Sequence, residues 1–167
     1  MPAVRRLDVR VPRSLPEALQ LQYTLKADLE RLRIPPPRAP RWTQQLWTHT
    51  CFEAFIRIGD MAAYHEFNFS PSGEWAAYAF ERYREGRPLH EAALHPGIRT
   101  EVSGDVLRLE ATVRLDRLSP QHVRAALALG LSAVIEDADG ALSYWALAHP
   151  TGKPDFHHAA AFALELK

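Results

Sequence analysis

Apolar and polar residues alternate along much of the chain, and a period of two predicts strands, because successive side chains of an extended backbone point to opposite faces. Arg5 to Val11 alternates and stops at Pro12, which predicts a first strand. Residues 19–26, LQLQYTLK, predict a second: SLPEALQ from Ser14 has the start of a capping box, but the alternation of Leu19, Leu21, Tyr23 and Leu25 selects strand over helix. PPPRAPR, residues 35–41, is a loop, since proline fixes its own dihedral and lacks an amide donor.

From Leu46 the alternation sharpens. Phe52, Ala54, Ile56 and Ile58 share one face, predicted to be core, while Trp47, His49, Cys51, Glu53 and Arg57 share the other. In YHEFNF, His65, Phe67 and Phe69 alternate with Tyr64, Glu66 and Asn68; SPSG supplies a turn, and EWAAYAFERY completes a hairpin. A second hairpin spans residues 97–114 around Gly104-Asp105, with Leu107, Leu109, Ala111 and Val113 facing inward. Ser119 followed by Pro120 predicts one short helix in SPQHVRAAL. LSAVIED, a turn at Asp139-Gly140, ALSYWALAH and a closing AAFALEL add three strands. About ten strands with one or two short helices imply an all-β fold, a two-sheet antiparallel β-sandwich of jelly-roll-like kind, because a single open sheet of this length leaves an apolar face wet. The 167 residues fit one domain, 1–167.

Composition narrows the partners. Twenty basic and twenty acidic residues cancel, so no long-range field recruits nucleic acid or an anionic membrane, and neither is expected as a partner. The longest apolar runs, such as ALALGLSAVI, are too short to cross a bilayer, and MPAVRRLDVRVPRS is charged where a signal peptide is apolar. A cytoplasmic location is the expectation. Cys51 is the single cysteine, which excludes an internal disulfide, and no glycine-rich phosphate loop is present.

Trp47, Glu53, Glu66, Asn68, Trp75, Tyr78, Tyr83 and Trp145 form a mixture suited to polyols: sugar C–H faces pack on aromatic rings, and hydroxyl arrays want carboxylates and amides. The plainer alternative is that tryptophans of a sandwich are core and strand glutamates are solvated. Glu53 and Glu66 on neighbouring strands also raise glycoside hydrolysis, although any acidic pair on adjacent strands does the same. HPTGKPDFHH, residues 149–158, clusters His149, Asp155, His157 and His158 with poor metal-ligand spacing. Asp155 as a cap for FHHAA explains that loop without a metal, and the loop can still border a pocket. His49 near Cys51 lacks a third orienting group, so the thiol reads as structural. No catalytic or metal-ligating set is assigned.

At LWTHTCFEAFI, YHEFNFSPSGEWAAYAF and SYWALAHPTGKPDFHH the chain resembles the bacterial DOMON-like domains, in the superfamily of the family-9 carbohydrate-binding modules. The resemblance implies a β-sandwich and a superfamily that includes sugar binders and haem-binding cytochromes. It also implies that Trp47 is an aromatic platform, that Glu53 is a hydrogen-bonding carboxylate, and that Trp145 is the opposing platform by its place in the chain. Cys51 stands where sugar-binding relatives often carry an acidic residue. The expected function is a non-catalytic ligand-binding domain for a carbohydrate or related polyol. Its candidate ligand-binding residues are Trp47, Glu53, Glu66, Asn68, Trp75, Tyr78, Trp145 and His149. A haem- or metal-binding domain, for which Met61 and eight histidines are available, and a protein-interaction module using the exposed aromatics are the alternatives. Haem and calcium stay open as cofactors, with no motif for either.

Overall fold

In the computed structural model, which describes residues 1–12 and 15–167, eleven strands build two antiparallel sheets. The capping-box serine, Ser14, lies outside the described residues. The smaller sheet has the order β1-β2-β8-β7, with β1 at Val4–Arg10, β2 at Ala18–Ala27, β7 at Gly97–Ser103 and β8 at Val106–Arg114. The larger runs β10-β9-β3-β4-β5-β6: β3 is Cys51–Ile58, β4 Tyr64–Phe69, β5 Trp75–Arg82, β6 Glu85–Pro88, β9 Leu127–Glu136 and β10 Leu142–Ala146. A short β11, Leu164–Leu166, pairs with the start of β9 beside β10. The chain is an all-β sandwich.

The predicted inward alternation holds. Leu19, Leu21, Tyr23 and Leu25 of β2 and Leu107, Leu109, Ala111 and Val113 of β8 are buried against Phe52, Ala54 and Ile56 of β3 and Phe67 and Phe69 of β4. Each such aliphatic or aromatic side chain contributes about 1.5–3 kcal/mol through burial. Tyr23 also crosses the interface, its hydroxyl donating to the Glu53 carbonyl at 2.7 Å, which fixes the β3 backbone at Glu53. The predicted helix is present as α1, Pro120–Arg124, with the Ser119 side chain accepting from the His122 amide.

Two local expectations give way to nearby hydrogen bonds. The strand predicted from Leu46 begins only at Cys51, because Gln45 adopts φ 58, Thr48 donates to the Gln45 carbonyl, and Leu46–Thr48 forms a 3-10 turn. EWAAYAFERY holds as β5, after which the chain turns at Tyr83–Arg84, with Arg84 at φ 56, and returns as β6. AAFALEL keeps only Leu164–Leu166 as strand, since Ala159–Ala161 is a 3-10 turn capped by His158.

The larger sheet has an outward face, and it is unusually polar at its centre. The β3–β4 and β3–β9 registers put Ser132, Glu53 and Asn68 in one outward row, and Phe55 beside Glu66 and Tyr78 in the next. Two small apolar clusters flank these rows. On one side Phe55, Tyr64, Ala128 and Phe162 pack with Phe80 and Phe156; on the other, Leu46, Cys51 and Ala76 pack with Trp42 and Tyr78. Gly130 permits the first: a Cβ there would lie 3.1 Å from the Ala161 carbonyl oxygen, so only glycine lets the C-terminal segment settle on β9 without displacement. Among the described residues no helix is long and apolar enough to cross a membrane.

Candidate functional site

Between the two clusters the outward face stays open as a cavity of about 370 Å³, within the size range of small-molecule sites. Its floor carries Glu53 and Glu66 and its walls are Trp47, Tyr78, Phe80, Arg84, Val134 and Tyr144, while Pro154, Asp155, Phe156 and His157 cross one end. Chain segments far apart in sequence therefore meet around two carboxylates.

Each wall is held by identifiable contacts. Trp47 sits on the 3-10 turn, and that turn is pinned to β9: the Thr50 hydroxyl donates to the Arg33 carbonyl and accepts from the Glu136 amide, while His49 Nδ1 lies 2.7 Å from the Glu136 carboxylate. The Trp47 ring is 41% exposed and meets Tyr78 edge-on at 5.9 Å, so one face stays free for a ligand. Phe80 stacks on Tyr64 at 4.8 Å and lies across Gly86, where a Cβ would come within 2.6 Å of the ring. The crossing segment is strapped down by Asp155, which accepts from the Tyr83 hydroxyl, from Arg84 at 2.8 Å and from the His157 amide. His157 Nδ1 lies 2.8 Å from the Tyr64 hydroxyl, leaving Nε2 turned toward Glu66 at 3.7 Å.

The floor holds more polar groups than the protein itself satisfies. Glu53 is 2% exposed, and its carboxylate has no hydrogen-bond or ion-pair partner among the described residues. Asn68 is fully buried beside Glu66, close enough to pull that carboxyl down, yet neither its amide nitrogen nor its oxygen makes a well-formed hydrogen bond; the Tyr78 hydroxyl is buried near the Gln45 backbone, also without a well-formed one. Unpartnered buried polar groups cost about 1–3 kcal/mol each, so the Tyr78 hydroxyl in the lining and the Asn68 amide beneath it mark a surface shaped to be completed by something else. Burial pushes both carboxyls up, Glu53 well above the usual range with Glu66 adding to it, and Glu66 to about 7 against the opposing pull of Asn68 and Arg84. Burial and the Arg84 charge lower His157 to about 4, so it faces Glu66 as a neutral ring at neutral pH.

Of the eight candidates from sequence, Trp47, Glu53, Glu66 and Tyr78 line this cavity. Asn68 lies beneath it in the row of Glu53. Trp75 does not reach it: β5 turns Trp75 inward, where it is 3% exposed in the sandwich core. Trp145 also faces the other way, because it pairs with Ala133, an inward position of β9, and packs against the core. Its neighbour Tyr144, opposite outward Val134, takes the wall position. His149 is exposed outside the lining, with its ring 6.2 Å from that of Phe156.

Phe80, Arg84, Tyr144, Asp155, Phe156 and His157 escaped the candidate set. Phe80 was within reach of the pattern, sharing the face of Tyr78 two residues on. Tyr144 required knowing which strand β10 pairs with. Tyr83 lies outside the lining and acts on it through Asp155. Asp155 does cap the turn into 157, as the sequence suggests, and additionally holds Arg84. Cys51 is fully buried, and its thiol is pushed well up by burial and by Glu53 and Glu66, the reverse of an activated nucleophile.

Other hollows open elsewhere on the molecule. One of about 600 Å³ lies between the N-terminal residues and β10 and one of about 250 Å³ beside Tyr23, both bordered by Trp145 and lined only by half-buried or exposed acidic residues; a third, of about 360 Å³, is lined by buried Glu74, whose carboxylate accepts from the Thr43 hydroxyl and lies 3.7 Å from Arg38 and from Arg41. Among the described residues no three His, Cys, Asp or Glu side chains are placed to hold a metal ion.

No protein-family model matches the chain, and no curated protein matches it. Among solved structures the fold is similar to that of a "putative carbohydrate-binding protein" from Bacteroides uniformis ATCC 8492, at 12% identity and a TM-score of 0.66, covering 93% of this chain and 75% of that one. A family-9 carbohydrate-binding module from Caldicellulosiruptor kristjanssonii, solved in complex with glucose, gives 12% identity and a TM-score of 0.49, covering 90% of this chain and 71% of that one.

Proposed function

We propose that the chain is a non-catalytic carbohydrate-binding domain, spanning 1–167, whose site is the cavity on the outward face of the larger sheet. One observation carries this reading: aromatic walls of Trp47, Tyr78 and Tyr144 surround a floor of buried, unpartnered polar groups, the combination that a pyranose completes by stacking its C–H faces and donating its hydroxyls. The Bacteroides uniformis neighbour, named for carbohydrate binding, supports a sugar as the ligand class. The DOMON-like resemblance of LWTHTCFEAFI and YHEFNFSPSG supports the same, with Trp47 and Glu53 in the roles it implies.

In this reading Trp47 and Tyr144 provide the two ring surfaces, Glu53 and Glu66 accept hydroxyl protons, and Asn68 orients the floor. Titration calorimetry against glucose, xylose and cellobiose tests it. Trp47→Ala is expected to weaken binding by about 1–3 kcal/mol, the scale of an aromatic surface lost from contact. Trp145→Ala, on the opposite face, is expected to leave affinity unchanged. Equal affinity of wild type and Trp47→Ala removes the platform, and absence of binding to every sugar removes the reading.

A further inference from the structure

The floor is not merely polar; its charge is one-sided. Glu53 and Glu66 occupy adjacent strands, with Glu53 opposite Asn68 and Glu66 two positions before it, so the carboxylates are diagonal neighbours beneath one hollow. Both are almost wholly withdrawn from water. No protein cation meets Glu53 among the described residues, and the one near Glu66, Arg84, is otherwise engaged, while His157 is a neutral ring. Arg84 is bound to Asp155 at 2.8 Å, and His157, the nearer group, hydrogen-bonds through Nδ1 to Tyr64 and presents Nε2 at 3.7 Å. Acceptors outweigh donors on this surface: four carboxylate oxygens, each with two lone pairs, stand against the Tyr78 hydroxyl and the buried Asn68 amide.

Resting on the sugar reading, we propose that the preferred ligand carries a protonated amine, as an amino sugar does, with its ammonium group between Glu53 and Glu66 and its ring against Trp47. An ammonium group supplies three donors and the missing positive charge at once. The aromatic walls strengthen the same choice, because the faces of Trp47, Tyr78 and Tyr144 attract a cation as well as a C–H surface. A bare metal ion would also neutralise the pair, but among the described residues no third His, Cys, Asp or Glu is placed to join them as a ligand. The raised carboxyls give the binding a second signature. A pair that holds a proton when empty must release it when a cation arrives, so amine binding is coupled to proton release, whereas a neutral sugar can leave the shared proton in place.

The test compares glucosamine, glucose, N-acetylglucosamine and cyclohexylamine by titration calorimetry at about pH 6.5, in buffers of different ionisation enthalpy so that protons released on binding are counted. Glucosamine is expected to bind about tenfold tighter than glucose or N-acetylglucosamine and to release protons that the two neutral sugars do not; Glu53→Gln and Glu66→Gln are expected to shrink the glucosamine-to-glucose ratio toward one. Equal affinity for glucosamine and glucose without proton release overturns the amine while leaving the sugar site standing. Binding of cyclohexylamine as tight as that of glucosamine, with no response to glucose, upholds the charge and overturns the sugar. Silence from all four overturns both.

Discussion

Glu53 and Glu66 are the residues where the fold is worst served by its own sequence. A carboxyl whose pKa is raised on folding favours the protonated native state. Between the unfolded value and the folded one, the unfolded chain releases a proton that the native protein keeps, and stability falls as pH rises across that window. For Glu66 the window runs from its ordinary value of 4.5 to about 7. Glu66→Gln, which cannot ionise, is therefore expected to be more stable than wild type by on the order of 1–3 kcal/mol at about pH 8 and by little at about pH 5, read from urea melts at both. A gain of equal size at both pH values would contradict a buried charge as its source. His65 and His157 act oppositely. Burial lowers both to about 4, helped at His65 by His122 and Arg87, so each favours the neutral native ring and its share of stability is lost as pH falls from 6.5 toward 4. The carboxylates were visible in sequence, since an acidic residue beside aromatics on one strand face lacks an evident partner. The error over Trp145 had an equally local origin: one step along β10 exchanges inward for outward, and only the pairing of Tyr144 with Val134 decides which ring faces the cavity.

At the scale of elements, the cavity depends on a turn and a strap. The Tyr83–Arg84 turn places Arg84 at φ 56 and aims its guanidinium at Asp155, and the same carboxylate accepts from Tyr83, so the β5–β6 hairpin and residues 154–157 are tied at one point. Arg84 is half exposed and Asp155 less so, which limits this tie to the modest worth of a surface ion pair, about 0.2–1 kcal/mol. Asp155→Ala is accordingly expected to leave the melting temperature nearly unchanged while amides of residues 155–158 exchange faster and sugar affinity drops severalfold, as hydrogen exchange and calorimetry would report. Unaltered exchange would mean that Phe156 and Phe162, packed on Phe55, hold the segment without help. The strands themselves were readable because their alternation is local. The 3-10 turn under Trp47 was not, because it depends on Thr50 bridging Arg33 and Glu136, residues separated by about a hundred positions and brought together only by the sheet.

For the whole molecule, the division of labour lies between two faces of one sheet. The inward face of the larger sheet meets the smaller one through β2 and β8 and supplies the apolar core. That face obeys simple patterning, and the sandwich was legible from it. The outward face is covered at both ends by packed segments and left open in the middle, where the C-terminal segment arrives from outside the sheet. No periodicity in the chain announces such a cover. The four tryptophans divide between the faces and so report on the account without any substitution: Trp47 lines the cavity, Trp42 packs behind Tyr78, Trp75 is core, and Trp145 borders the opposite hollows. The most direct measurement is a titration of the four indole N–H resonances with glucosamine and with glucose. The account predicts that the Trp47 signal moves with ligand concentration while those of Trp75 and Trp145 stay in place; movement of Trp145 with Trp47 unmoved would contradict it.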